Sequence, residues 1–100
     1  MAQTAAKENT TEKVEVKRPR NYKVIIWNDD FTPMDFVTDI LKTIFGMDPA
    51  SAFSMMMKVH QTGSSVAGIY TLDIAQTKAH KAMSLARSHE YPLTLTVEEN

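Results

Sequence analysis

The sequence predicts an α+β domain in which a three-stranded antiparallel sheet packs against three helices in the order β-α-α-β-α-β. Two runs with the composition or alternation of strands lie at residues 22–28 and 93–97. Between them, three stretches carry apolar residues at helical spacing. The length of 100 residues and the hydrophobic fraction of 43% suit one globular domain.

The first predicted strand covers residues 22–28, which are mostly β-branched or aromatic and contain no Gly or Pro. Side chains of a strand alternate between its two faces. We therefore expect Val24, Ile26 and Asn28 on one face of the sheet and Trp27 on the other.

The first helix is predicted to begin after Thr32, which suits the N-cap position. Pro33 would then take the first helical position and Asp35 the third, as in a capping box. Apolar residues recur at helical spacing over residues 36–45, and Gly46 is the expected end of the helix.

A second helix is predicted to begin at Pro49 with Asp48 as its cap and to end at Gly63, which makes a helical hairpin with the first. A short strand is expected over residues 66–70.

Thr71 is the expected cap of a third helix, which runs to about Ser88 and places four alanines on one face for close packing on the sheet. Leu93 to Val97 alternate strictly, so this last strand should have one buried face and one polar face.

Charge and composition divide the chain into a flexible N-terminal arm over residues 1–20 and a core domain over residues 21–100. The arm carries a net charge of +2 and has too few apolar side chains to offset the entropy of ordering. The core domain carries a net charge of −3 without a basic stripe, so we expect no binding to nucleic acid. No apolar run is long enough to span a membrane, and no signal peptide is expected.

Several classes of enzyme are disfavoured by the residue types present. The chain has no cysteine, which excludes disulfides, thiolate catalysis and zinc–thiolate sites, and which indicates a reducing compartment. It has no nucleophile elbow, and only three glycines, so a phosphate-binding glycine loop is also absent. We expect a protein that is not an enzyme and that needs no cofactor.

The loop Asn28-Asp29-Asp30 is the most unusual segment, because two carboxylates exceed what one helix cap requires. His60, near the end of the second helix, is a further candidate. A lone histidine is more often structural, and acidic residues often serve turns, so a purely structural interpretation stands beside a binding role. A metal-dependent hydrolase built on Asp29, Asp30 and His60 is a third alternative. The run Met55-Met56-Met57 fits either core packing or an adaptable apolar surface.

These segments resemble a known family. Residues 22–37, with the motif Asn-Asp-Asp-Phe-Thr-Pro-Met, resemble the opening of ClpS, the adaptor of the Clp protease. The resemblance continues through Met56 to His60 and reaches Tyr91-Pro92-Leu93, so that it covers about residues 20–98.

The resemblance implies an adaptor of the N-end rule, which binds the N-terminal Leu, Phe, Tyr or Trp of N-degron substrates. It implies delivery of those substrates to an AAA+ unfoldase, ClpA or ClpC, for degradation by ClpP. The implied contacts to the α-amine and backbone of the substrate are Asn28, Asp29, Asp30, Thr32 and His60. The implied hydrophobic pocket consists of Ile26, Thr32, Met34, Val37, Met56, Val59 and Leu93.

A free N-terminus is an ammonium with three donors, so it needs acceptors and negative charge around it when it is desolvated beside an apolar pocket. By resemblance, Met34 excludes β-branched side chains. Trp27 departs from the smaller aliphatic residue that is usual in the family, which leaves open which of the four side chains is preferred.

The resemblance also implies that Asp73 and Lys78 contact the unfoldase and that the arm is needed for delivery rather than for peptide binding. We expect a monomer located in the cytoplasm, or in the plastid stroma if the source is a plant or alga. The rival hypothesis is a general protein-interaction domain that resembles the C-terminal domain of the ribosomal stalk protein and has no amine-binding pocket.

Overall fold

The computed structural model describes residues 20–100, so the predicted arm, apart from Arg20, lies outside the described residues. The elements follow the predicted order β-α-α-β-α-β. They are β1 (Tyr22–Trp27), α1 (Met34–Thr43), α2 (Pro49–Thr62), β2 (Ser64–Tyr70), α3 (Leu72–Ser88) and β3 (Thr94–Glu99). In the described part of the chain, none of the helices has the length and apolar character that crossing a membrane requires.

The three strands form one antiparallel sheet in the order β2-β1-β3, as the sequence predicts. In the centre of the sheet, Ile26 of β1 pairs with Leu95 of β3, and a bulge interrupts the pairing of β1 with β2 just after Val24. The outer strands differ from prediction at their ends. β2 begins at Ser64 rather than Val66, and Leu93 precedes β3 instead of opening it.

The core lies between one face of the sheet and the helices. Helix α3 packs across all three strands, and α2 packs against α1 and β2. Small side chains on α3 allow this close approach, because the four predicted alanines are at most 3% exposed. These alanines are Ala75, Ala79, Ala82 and Ala86.

The opposite face of the sheet carries no helix in the described structure, although Ile25 on that face is only 9% exposed. Trp27 lies there with 41% of its surface exposed, and its indole Nε1 donates to Thr96 Oγ1 at 2.8 Å. Val24 and Ile26 are fully buried on the inner face. The predicted alternation of β1 is therefore confirmed.

The predicted cap of α1 is wrong. Pro33 occupies the N-cap position without a side-chain hydrogen bond, and the hydroxyl of Thr32 donates instead to Asp29 Oδ2 at 2.8 Å. The carboxylate of Asp29 is a stronger acceptor than the hydroxyl of Thr32 is, because it is charged. It organises the chain entering the helix in place of the predicted cap.

The other helix ends follow the sequence more closely. Asp48 caps α2 by accepting from the backbone N–H of Ser51 at 3.2 Å, and Gly63 ends that helix at a φ of 101°, as predicted. Helix α1 ends at Thr43, before the predicted Gly46, which follows at a φ of 71°. Thr71 is the N-cap residue of α3, but its hydroxyl donates to the Asp73 carboxylate rather than capping a backbone N–H.

Candidate functional site

The end of β1 and the end of α2 are joined by one backbone hydrogen bond. The N–H of Asn28 donates to the carbonyl of Gly63 at 2.8 Å. Gly63 adopts a left-handed conformation that side chains disfavour, so the chain can leave α2 and start β2 beside β1. His60, three residues before this glycine, is thereby carried to the side of the sheet where Asn28 lies.

The loop that follows Asn28 is organised by the carboxylate of Asp29. Its Oδ1 accepts from the N–H groups of Phe31 and Thr32, at 2.8 and 2.7 Å. Its Oδ2 accepts from the hydroxyl of Thr32. These bonds close a tight turn, which fixes the backbone from Asp29 to Thr32 and leaves the neighbouring carboxylate of Asp30 exposed.

The charge of Asp29 is favoured by its surroundings. Partial burial alone would raise the pKa of this carboxyl. The hydrogen bonds from Thr32 and Phe31, together with the nearby charge of Arg87, outweigh burial and hold the pKa below its ordinary value of 3.8. Asp29 is therefore ionised throughout the neutral and mildly acidic range.

A cavity of about 310 Å³ opens beside this loop. Its volume lies near the lower end of the roughly 300–1,000 Å³ that is typical of small-ligand sites. The cavity is apolar on the side of the helices and polar on the side of the loop. It is lined by Asn28, Asp29, Asp30, Phe31, Thr32, Pro33, Met34, Val37, Met56, Val59 and His60.

The lining provides the partners of a primary ammonium. Asn28 has an amide oxygen, the imidazole of His60 has a ring nitrogen that can accept, and Asp30 has a carboxylate without a hydrogen bond inside the described chain. Among the described residues around this cavity there is no Lys or Arg. The site therefore suits a positively charged head attached to an apolar side chain.

The apolar part of the cavity comes from helices α1 and α2. Val37 of α1 and Met56 and Val59 of α2 are buried at 7%, 4% and 2% exposure, so they form a fixed floor. Met34, in the first turn of α1, is 41% exposed and lies at the mouth. The other two methionines of the run, Met55 and Met57, are partly buried against the core.

Two of the predicted pocket residues lie outside this cavity. Ile26 is fully buried, does not line this cavity and belongs to the same core cluster as Val37 and Val59. Leu93 lines only a small inner void of about 10 Å³, which shares Asn28, Asp29, Thr32, Val37 and Val59 with the larger cavity.

Phe31 and Pro33 also line the cavity, although neither was predicted as a site residue. Phe31 is 79% exposed. An aromatic residue within a polar loop is a signal that could have identified it. Trp27, whose effect the sequence left open, contributes to the inner void while its indole lies across the open face of the sheet.

The residues predicted to contact an unfoldase, Asp73 and Lys78, line a separate surface groove of about 320 Å³ between the end of α1 and α3. Lys78 is partly buried and donates from Nζ to the carbonyl of Ile44 at 2.8 Å, with Tyr70 beneath it at 5.3 Å from the ring centre. Part of the role of Lys78 is therefore to hold α3 against the end of α1. The hydroxyl of Thr71 and the N–H of Ile74 lower the pKa of Asp73.

The metal-site alternative finds no support in this geometry. Within residues 20–100, no group of three or more His, Asp or Glu side chains is placed to hold a metal ion. Asp29, Asp30 and His60 line one cavity but do not form such a group.

Comparison with known proteins identifies the family that the Asn-Asp-Asp-Phe-Thr-Pro-Met motif resembles. The family described as ATP-dependent Clp protease adaptor protein ClpS matches residues 17–96. A protein of Roseobacter denitrificans named as this adapter is 46% identical over 90 residues, which are 90% of this chain and 80% of that protein. One from Nitrosospira multiformis with the same name is 47% identical over 88 residues, covering 88% and 86%.

A solved structure also matches the fold. The structure of Agrobacterium tumefaciens ClpS2 bound to L-phenylalaninamide superposes with a TM-score of 0.81 at 42% identity and covers 83% of this chain and all of that one. The fold, the match over residues 17–96 and the similarity to these relatives agree. The chain therefore belongs to the ClpS family of ATP-dependent Clp protease adaptor proteins.

Proposed function

We propose that this protein binds the free N-terminal residue of N-degron substrates when that residue is Leu, Phe, Tyr or Trp. The observation that carries the proposal is the combination, in one cavity, of amine acceptors with an apolar floor. Asn28, Asp30 and His60 supply the acceptors, and Met56 and Val59 supply part of the floor.

The roles of the two aspartates divide according to their hydrogen bonds. Both carboxylate oxygens of Asp29 accept hydrogen bonds within the turn, so Asp29 would act on the substrate through its charge. The carboxylate of Asp30 is free to accept from the ammonium, directly or through a water. By the family resemblance, the backbone of the substrate would pass Asp30 and Thr32.

The ligand of the related Agrobacterium structure supports this proposal. L-Phenylalaninamide has a free α-amine, a benzyl side chain and an uncharged amide in place of the carboxylate. Chemically it is therefore the first residue of a peptide. A cavity with acceptors at one end and methionine and valine at the other suits such a group.

Beyond the pocket, we propose that the protein delivers its bound substrate to a hexameric AAA+ unfoldase, ClpA or ClpC, which feeds ClpP. The groove containing Asp73 and Lys78 would contact the unfoldase. The protein would act as a monomeric adaptor in the cytoplasm, or in the stroma of a plastid, and would perform no chemistry itself. Degradation of a substrate with an N-terminal Phe, followed with and without this protein, tests delivery.

The deciding test of binding is a fluorescent peptide with a free N-terminal Phe, compared with the same peptide after N-acetylation. We expect micromolar or tighter affinity, about −8 kcal/mol, for the free amine. Acetylation removes the charge and two donors, so it should abolish binding. Equal binding of the two peptides would contradict amine recognition, and no binding of Phe, Leu, Tyr or Trp peptides would favour the general interaction domain.

A further inference from the structure

Arg87 connects helix α3 to the segment that precedes β3, although Arg87 itself does not line the cavity. Arg87 lies in the last turn of α3. Its Nη1 donates to the carbonyl of Tyr91 and to the carbonyl of Leu93, both at 2.8 Å. One guanidinium nitrogen thus holds two carbonyls that are separated by Pro92, a residue with no N–H of its own.

The segment held in this way carries Leu93, whose side chain is 1% exposed. Leu93 packs at the inner void of about 10 Å³ together with Val59 and Val37, which also form the floor of the cavity. A void of this size admits no additional side-chain atoms. An outward shift of Leu93 would therefore open space behind Val37 and Val59, two residues of the cavity floor.

Arg87 also acts on the polar end of the site, because its charge contributes to keeping Asp29 ionised. The same side chain is thus coupled to the turn that organises the amine-binding loop and to the segment that closes the apolar end. In the described structure it forms no salt bridge within 4.0 Å, so its two carbonyl contacts are its direct bonds.

We propose that Arg87 is a positioning residue that sets the depth of the pocket by holding the backbone of Tyr91 and Leu93, and that it thereby determines the preference among bulky N-terminal side chains. The proposal rests on the function proposed above. Without the guanidinium, the segment can move outward when a large side chain enters. The preference should then shift from Leu towards Trp.

The segment does not depend on Arg87 alone for its folding. The ring of Tyr91 packs edge-on against Phe36 with centroids 4.9 Å apart and stacks on His89 at 5.6 Å. The N–H of Tyr91 donates to the carbonyl of Ala86 at 2.9 Å. Loss of Arg87 should therefore loosen the backbone around Leu93 without unfolding the domain.

The test uses the full chain and peptides that differ only in a free N-terminal Leu, Phe or Trp. Arg87→Met has a similar apolar stem and no donor, whereas Arg87→Lys keeps one nitrogen that can donate to both carbonyls. Lys42→Met is the matched control, since it removes one positive charge from a surface pair with Asp39 at 3.7 Å.

We expect Arg87→Met to raise the affinity for Trp relative to Leu by about tenfold, the lower end of the effect of one methylene in a pocket. Arg87→Lys should return the ratio towards that of the wild type, and Lys42→Met should leave it unchanged. An unchanged ratio in Arg87→Met overturns the proposal, even if all affinities fall together. A shift in Arg87→Lys as large as that in Arg87→Met also overturns it.

The wild-type titration separates failure of this proposal from failure of the proposed function. If the folded wild-type protein binds none of the three free peptides, the amine-binding function fails, irrespective of the variants. If it binds them and loses them on acetylation, the function stands and the ratio in Arg87→Met decides the role of Arg87.

Discussion

Replacement of Asp29 by Ala would remove the acceptor that organises the turn from Asp29 to Thr32. Three hydrogen bonds disappear, two from backbone N–H groups and one from the Thr32 hydroxyl. Hydrogen bonds to a charged group contribute about 1.5–3 kcal/mol each when buried, but water replaces much of this at a largely accessible turn. We therefore expect the free energy of unfolding to fall by roughly 1–3 kcal/mol in total, similar to the loss of a strong helix cap.

Two further variants separate the contribution of the Thr32 hydroxyl from that of the charge on Asp29. Thr32→Val removes only the hydroxyl bond and should cost about 1 kcal/mol or less. Asp29→Asn keeps an acceptor for the two N–H groups but loses the charge, so its unfolding free energy should lie between those of the wild type and Asp29→Ala. Urea denaturation measures each value, and titration with the N-terminal Phe peptide measures the accompanying loss of affinity.

The dependence on pH has a defined sign. Because the folded protein lowers the pKa of Asp29 below 3.8, the contribution of this carboxylate is complete above the unfolded pKa and is lost as the pH falls through the folded one. The difference between wild type and Asp29→Ala should therefore be constant from pH 7 to pH 5 and should shrink below about pH 4. A difference under about 0.5 kcal/mol at pH 7, the range of ordinary surface substitutions, would refute the reasoning.

Three other predictions concern binding and delivery. His60→Leu should lower the affinity for the N-terminal Phe peptide by about tenfold, because the variant lacks the ring nitrogen that accepts from the ammonium. An affinity equal to that of the wild type would contradict a role for His60. Met34→Ala should raise the affinity for peptides with N-terminal Ile or Val by about tenfold, since it shortens a side chain at the mouth of the cavity. If the wild type binds Ile and Val peptides as tightly as Phe peptides, Met34 does not exclude β-branched side chains. Deletion of residues 1–20 should leave the Phe-peptide affinity intact and abolish degradation by the unfoldase and ClpP, and a large loss of affinity in the shortened protein would argue for a direct role of that segment in binding.

Local patterns in the sequence were sufficient to predict the helices and strands and most of the residues at which they begin or end. Asp48 caps α2 as predicted, because a side chain and the N–H three residues later are neighbours whatever the rest of the chain does. Gly63 ends the same helix because of its own φ of 101°. The predicted cap at Thr32 failed because the hydroxyl of Thr32 donates to the charged carboxylate of Asp29 instead of accepting from an N–H at the start of α1.

What the sequence determined by itself was the order of elements, the buried faces of the strands and α3, and the residue types that an ammonium requires. Only the tertiary structure decided which of those residues share a cavity. The bond from Asn28 to Gly63 joins positions 35 residues apart, and it is what brings the Asn-Asp-Asp loop to the histidine of α2. Likewise, Ile26 lies in the core rather than in the cavity, and Leu93 lies at an inner void with its backbone held by Arg87. The periodicity of the sequence does not predict these positions, because the depth of a residue depends on how distant segments pack.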